Sequence, residues 1–319
     1  MHILLTGSSG FVGTAIAQQC EIAGLPLRKT DRVVPAGRAD HVQADILDPA
    51  TLPPALAGIS CVIHAAGLAH QFGKRQQTAP FMAVNAEGTA NMAQATAAAG
   101  VQHFILISSV SVYGTHSAGA CTEETPCQPE GIYATSKYQG EQQAIEIARA
   151  SGMRLSILRL ATVYGEGDPG NVARLMDTID RGRFIWLGNG SNHKSLVHRE
   201  DVARACLTAA QSAGSGIAIY NISAPPCRMR EVVETLADAL GRTLPRWQVP
   251  ALPLLRLSEL ASRMSGQRTP IARLHDTLRK WLKDDVYDAS AFQQATGFQT
   301  TVSLHAGLQR EVAWYRSQQ

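Results

Sequence analysis

No run of about 18 uncharged apolar residues occurs in this chain, and its most membrane-like stretch, residues 251–264, is broken by Arg256, Glu259 and Arg263. A membrane-spanning helix is therefore not expected. The opening Met-His-Ile-Leu-Leu-Thr-Gly lacks a basic n-region, so no secretory signal is expected either. The six cysteines (Cys20, Cys61, Cys121, Cys127, Cys206, Cys227) contain no CxxC pair and sit mostly in apolar segments. That usage suits free, reduced thiols in the cytoplasm, Cys121 and Cys127 included. Ten histidines form no HExxH, so no metal site is expected. Lys plus Arg (29) exceeds Asp plus Glu (26) by only 3, without a basic run, and nucleic acid is not an expected partner. An anionic small molecule is compatible with that balance.

With 45% apolar residues over 319 positions, the chain suits a large two-lobed globular protein and not a disordered one. Short β-like runs at residues 2–6, 25–30, 42–44, 61–64 and 103–108 alternate with helical patterns at 11–23 and 81–99. This βαβα rhythm predicts an α/β fold with a parallel sheet covered on both faces. A helix at 133–150 and a strand at 155–158 follow, and then glycine-rich loops mark a change of lobe. Residues 197–210 and 218–222 read as a return to the first lobe, whereas 229–240 and most of 245–319 read as helical and peripheral. The expected division is 1–165 plus about 197–223 for a dinucleotide-binding lobe, and 166–196 plus 224–319 for a smaller, discontinuous substrate lobe.

Directly after the first strand stands Thr6-Gly7-Ser8-Ser9-Gly10-Phe11-Val12-Gly13, opening a helix. Gly7 permits the tight turn, Gly10 lets backbone amides approach a pyrophosphate, and Gly13 lets the helix pack on the strand. Ser9, Phe11 and Val12 of the same turn join them as expected cofactor contacts. Asp31, ending the second strand, is placed to take the adenosine ribose hydroxyls of NAD. Arg32 beside it is either a holder of the 2′-phosphate of NADP or a solvated arginine. Asp45-Ile46 places a carboxylate near the adenine amine or is an ordinary turn. In His64-Ala65-Ala66-Gly67 the small residues Ala65, Ala66 and Gly67 let a cofactor pass close to the backbone, while His64 itself reads as packed.

Tyr133-Ala134-Thr135-Ser136-Lys137 sets a phenol and an ammonium one helical turn apart on one face. An unperturbed phenol has a pKa of about 10, and an adjacent ammonium favours its phenolate and can hold the nicotinamide ribose. Tyr133 is thus a candidate general acid/base. Ser109 leaves the C-terminal end of a buried strand, where open α/β sheets carry their chemistry, and can donate to a substrate oxygen.

These motifs resemble those of the extended short-chain dehydrogenase/reductase family, and most closely its nucleotide-sugar branch, the UDP-glucose 4-epimerases and their relatives. The resemblance runs along nearly the whole chain and is densest over residues 3–165. It implies a Rossmann lobe with a small sugar-nucleotide lobe, catalysis by Ser109, Tyr133 and Lys137, and support of the cofactor-side strands by Asn85 in Val84-Asn85-Ala86-Glu87-Gly88-Thr89. In the second lobe it puts Asn171 on the nucleotide diphosphate and Lys194 where relatives carry an arginine. A lysine there keeps the charge and loses the bidentate fork. Ser109 and Ser111 are the implied sugar contacts. The family's dehydratases carry an acidic pair at the positions of Val110 and Ser111, so dehydration is not expected here.

The activity that the resemblance implies is NAD-dependent inversion at C4 of a UDP-hexose through a transient keto sugar. An NADP-dependent reductase of a 4-keto-6-deoxy nucleotide sugar is the alternative, and a non-catalytic dinucleotide-binding protein is a further one. Relatives pair two helices per subunit, which implies a homodimer through residues 81–99 and 133–150.

Overall fold

Strands that are apolar on both faces are stable only inside a sheet covered on either side. A computed structural model of the chain, which describes residues 1–33, 40–69, 78–115, 119–250, 253 and 281–319, contains such a sheet. Its seven strands are β1 (Ile3–Thr6), β2 (Leu27–Asp31), β3 (His41–Gln43), β4 (Cys61–His64), β5 (His103–Ser109), β6 (Arg154–Leu160) and β7 (Ile217–Ile222). They lie in the order β7-β6-β5-β4-β1-β2-β3, and every pairing is parallel. This is the doubly wound Rossmann-type sheet. The order reverses between β1 and β4, whose last residues Thr6 and His64 are register partners. Open sheets of this kind bind ligands beyond the carboxyl ends of the strands at that switch point.

Alternate residues of the central strands feed two cores. Ile3, Leu5, Ile63 and Ile105 pack with Ala15 and Ile16 of α1 (Phe11–Ile22) and with Ala203 and Cys206 of a later helix. Leu4, Val62, Phe104 and Leu106 pack on the other face with Met92 and Ala93 of α2 (Gly88–Ala98) and Ala144 and Ala148 of α3 (Gly131–Ser151). All six cysteines are free; burial pushes the Cys20 thiol up to about 11 and Cys61 to about 12.

The chain divides into two compact units. The first is Met1–Val163, Val197–Ala224 and Tyr287–Val302; the second is Tyr164–Leu196, Pro225–Val286 and Ser303–Gln319. The sequence reading puts all of 224–319 in the second lobe, and residues 287–302 depart from it. Their side chains explain why. Tyr287 stacks on Tyr113 at 6.0 Å, and Phe292 packs against Tyr220 and Phe298. Asp201, fully buried, accepts from the backbone N–H groups of Thr301 (2.9 Å) and Val302 (3.1 Å). The second unit gathers α4 (Asn171–Asp180), α6 (Met229–Leu240) and α7 (Leu304–Ser317) around Met176, Trp186, Leu236 and Leu308, α5 (Arg199–Gln211) being the helix of the first unit noted above.

Two local features matter. The helix expected over 81–99 is broken: Thr78–Met82 is α-helical, Ala83–Glu87 is a π turn, and only then does α2 run. The widened turn falls where Asn85 is buried, a common association of π-bulges with polar sites. Helix α5 begins at Arg199, because Leu196–His198 is extended and the His198 ring accepts from Glu200 N at 3.3 Å as an N-cap. Among the described residues no helix is long and apolar enough to cross a membrane. The stretch 251–264 lies, apart from 253, outside the described residues, as do residues 70–77.

Candidate active site

The turn between β1 and α1 is shaped by what a side chain would hit. Gly7 has φ +66°, and a Cβ there would stand 2.7 Å from the Cα and N of Ala66. A Cβ on Gly13 would stand 2.0 Å from the Gly7 carbonyl oxygen. The glycines therefore let α1 press onto the turn and the turn onto the segment 65–67, which Ala66 N–H ties to Thr6 Oγ1 at 3.2 Å. Gly10 is the N-cap of α1 and supplies no side-chain cap. The first-turn N–H groups of Phe11, Val12 and Gly13 therefore present an open, partly positive helix end, the arrangement that receives a pyrophosphate.

Asp31 stands at the end of β2 as expected, and the turn reaches it. Its carboxylate accepts from Ser8 Oγ at 2.5 Å and Ser9 Oγ at 2.9 Å. Ser9 N also donates to it at 3.4 Å; with about four acceptor positions on an ionised carboxylate, about one remains for a ribose hydroxyl. Arg32 is exposed, and its carbonyl accepts from the Gln43 side chain at 3.0 Å. The Asp45 carboxylate closes its own turn by accepting from Leu47 N at 2.9 Å. Ile46 packs against Gly88, where a Cβ would meet it at 2.6 Å, and its carbonyl accepts from Asn91 at 2.9 Å.

Beyond the switch point, the C-terminal end of β5 faces α3. Ser109 is extended and its Oγ accepts from Ser111 N at 3.2 Å, which leaves its own proton free to donate. Tyr133 pairs with Ser109, and the Phe81 ring packs edge-on against it at 6.4 Å. Burial pushes the Tyr133 phenol up, and the Ser109 hydrogen bond pulls it partly back. The Lys137 ammonium turns to the Ile107 carbonyl, donating at 2.5 Å. Burial brings Lys137 down to about 8, against the opposing pull of Glu141.

Asn85 ties this region to the cofactor side. Its Nδ2 donates to Leu68 O at 2.9 Å and Ser136 Oγ at 3.0 Å, and its Oδ1 accepts from Leu68 N at 2.8 Å. Gly67 lies between these groups: a Cβ there would be 3.1 Å from Asn85 Oδ1 and 3.8 Å from Lys137 Nζ. His64 is the packed histidine of the sequence reading. It is bonded to Thr6 Oγ1 at 2.8 Å and Thr89 Oγ1 at 3.3 Å and stacked on Phe104, and burial pushes it down to about 3.

Asn171 and Lys194 belong to the second unit. Asn171 is the exposed first residue of α4, while Lys194 Nζ donates to Lys283 O at 2.9 Å and lies 3.5 Å from Asp285. Three contributors escape sequence reasoning: Ser8, Ser136 and Glu141. Glu141 carried a signal, since it repeats the four-residue spacing of Tyr133 and Lys137. It is fully buried, accepts from Ser108 Oγ at 2.5 Å and forms an ion pair with Arg159 at 2.7 Å.

An uncapped helix end over a glycine turn, a ribose-directed aspartate, and a Ser/Tyr/Lys group at the strand ends define a dinucleotide-dependent enzyme. The chain belongs to the NAD dependent epimerase/dehydratase family, whose model matches residues 3–223. NAD is its cofactor, and the uncapped N-terminus of α1 with Asp31 at the end of β2 fits that group. Similar proteins extend over the whole chain. An N-acetyl-alpha-D-glucosaminyl-diphospho-ditrans,octacis-undecaprenol 4-epimerase of Escherichia coli O157:H7 is 28% identical over 98% of this chain and 95% of its own length. The UDP-glucose 4-epimerase of Vibrio cholerae is 28% identical over 97% and 93%. The structure of MoeE5 in complex with UDP-glucuronic acid and NAD superposes with a TM-score of 0.80 at 25% identity, covering 100% of both chains.

Proposed function

We propose that this protein inverts C4 of a UDP-hexose through a transient 4-keto sugar. The observation that carries the reading is the convergence of Ser109, Tyr133 and Lys137 at the end of β5. Similarity to two 4-epimerases over nearly the full chain supports it. When bound, NAD supplies a hydride acceptor and donor and a positively charged ring. Tyr133 takes the proton from the C4 hydroxyl and later returns it, and Ser109 donates to the same oxygen as it becomes a carbonyl. Lys137 holds the nicotinamide ribose and keeps positive charge within a helical turn of the phenol. Asn85 fixes the segment after β4 along which the cofactor runs. Asp31 favours NAD over NADP, because a 2′-phosphate beside its carboxylate would meet like charge.

Ser111 Oγ is buried with no partner among the described residues, which supports a hydroxyl of the sugar as its partner. With Val110 and Ser111 where a dehydratase carries acids, neither position offers a carboxylic acid to protonate a leaving hydroxyl, which supports epimerisation over dehydration. Asn171 and Lys194 are assigned to the diphosphate and the cytoplasm to the protein, the latter in keeping with six free thiols. The homodimer rests on the resemblance alone, because Ala144, Ile145 and Ala148 of α3 face the core; light scattering at micromolar concentration decides it.

Incubation with a panel of UDP-hexoses and a trace of NAD, followed by anion-exchange separation, tests the reading. Interconversion without net cofactor reduction is the expected result. If every sugar returns unchanged while a 4-keto-6-deoxy nucleotide sugar is reduced with NADPH, the protein is a reductase.

A further inference from the structure

Three successive residues of β5 hold three residues spaced by four along α3. The Ile107 carbonyl takes the Lys137 ammonium, Ser108 Oγ donates to Glu141, and Ser109 pairs with Tyr133. The first and third contacts carry the chemistry already described. The middle one has no part in it, yet it is the most deeply buried: Glu141 is 0% and Arg159 3% exposed. The two form a forked pair, Nη2 to Oε2 at 2.7 Å and Nε to Oε1 at 3.1 Å. Arg159 also lies 4.9 Å over the Tyr113 ring, whose hydroxyl donates to Asn221 at 2.8 Å.

A buried ion pair is weak evidence for stability, since apolar residues of similar volume often do as well. Its place in the fold needs another reason. Lys137 supplies it. Its ammonium is buried on a neutral carbonyl, an environment that disfavours charge, and Glu141, one turn further along α3, is the carboxylate that opposes this. Among the described residues Tyr133 on α3 and His64 on β4 are the other ionisable groups near Lys137, the latter pushed into its neutral form by burial. Arg159 on β6 stands behind Glu141 with Tyr113 and with Cys127, whose thiol burial raises.

We infer that Glu141 is a positioning residue: its carboxylate, itself anchored by Ser108 and Arg159, keeps charged the Lys137 ammonium that the Ile107 carbonyl holds one turn from Tyr133. The inference rests on Tyr133 and Lys137 being the acid–base pair, but its test needs no substrate. The chain has six lysines, so NMR titration of lysine labelled at the side-chain end, assigned with Lys137→Met, reads Lys137 directly in the full-length protein. Wild type is expected to titrate near 8. Glu141→Gln is expected to titrate about 1 pH unit lower, and Glu141→Asp, which keeps the charge, nearer wild type. If Glu141→Gln does not fold, Glu141→Gln with Arg159→Met removes both charges and leaves no orphan, and the same downward movement is expected. An unchanged Lys137 midpoint in a folded variant lacking the carboxylate overturns the assignment. Absence of epimerase activity would leave these midpoints where they are, so the two readings fail separately.

Discussion

Tyr133 is protonated in the protein alone, because burial raises its phenol while its partner Ser109 only partly offsets this. Its resting state is therefore the proton donor, and acting as a base requires positive charge brought close. Tyr133→Phe is expected to lower turnover by about 10³-fold while NAD stays bound; an unchanged rate would favour a protein that only binds the dinucleotide. Burial brings Lys137 down to about 8, so its ammonium is expected to be lost as pH rises through that value, and kcat to fall on the alkaline side in a pH–rate profile. The sequence made Ser109, Tyr133 and Lys137 legible because their spacing is local: a strand end and one helical turn. It hid the direction of the Lys137 side chain, which depends on a carbonyl thirty positions away in the chain. Glu141 was hidden too, since a glutamate in a helix ordinarily reads as a solvated face.

At the scale of elements, glycine spacing and strand–helix order were enough to place β1, the turn and α1. The close approach that enforces them gives a sharp expectation. Gly13→Ala puts a methyl 2.0 Å from the Gly7 carbonyl, and the turn must open; NAD retention through gel filtration is expected to be lost while the far-UV spectrum stays helical. Other features were not legible because they depend on tertiary partners. The π turn at Ala83–Glu87 answers Leu68 and Ser136, which lie 17 and 51 positions away from Asn85. Residues 287–302 return to the first unit through Asp201 and a group of aromatic rings, and neither contact has a local period. Asp201→Ala leaves the Thr301 and Val302 N–H groups without their acceptor and is expected to cost about 3 kcal/mol in urea unfolding. A loss under 1 kcal/mol, on the order of a surface substitution, would mean that this segment is held by its aromatic rings alone.

For the whole molecule, two buried groups bound the pH range of stability. His64 is held down to about 3 in the fold against 6.5 unfolded. As pH falls below about 6.5 the unfolded chain binds the proton first, so stability declines toward pH 3. Glu311 is raised from 4.5 to about 9 by burial and by the nearby Asp168, with one oxygen lacking a partner among the described residues. Its contribution is complete below about 4.5 and is lost as pH rises through about 9. Glu311→Gln is expected to melt closer to its neutral-pH temperature at pH 9 than wild type does, as measured by calorimetry; equal losses in both would assign the alkaline weakening elsewhere.

The central claim is inversion at C4 by removal and return of the same hydrogen. It is tested most directly with a UDP-hexose carrying deuterium at C4, whose product is analysed by NMR after partial conversion in ordinary water. The account predicts the C4 epimer with deuterium retained at C4. Epimerisation with loss of the label to water, or inversion at another carbon, would contradict it.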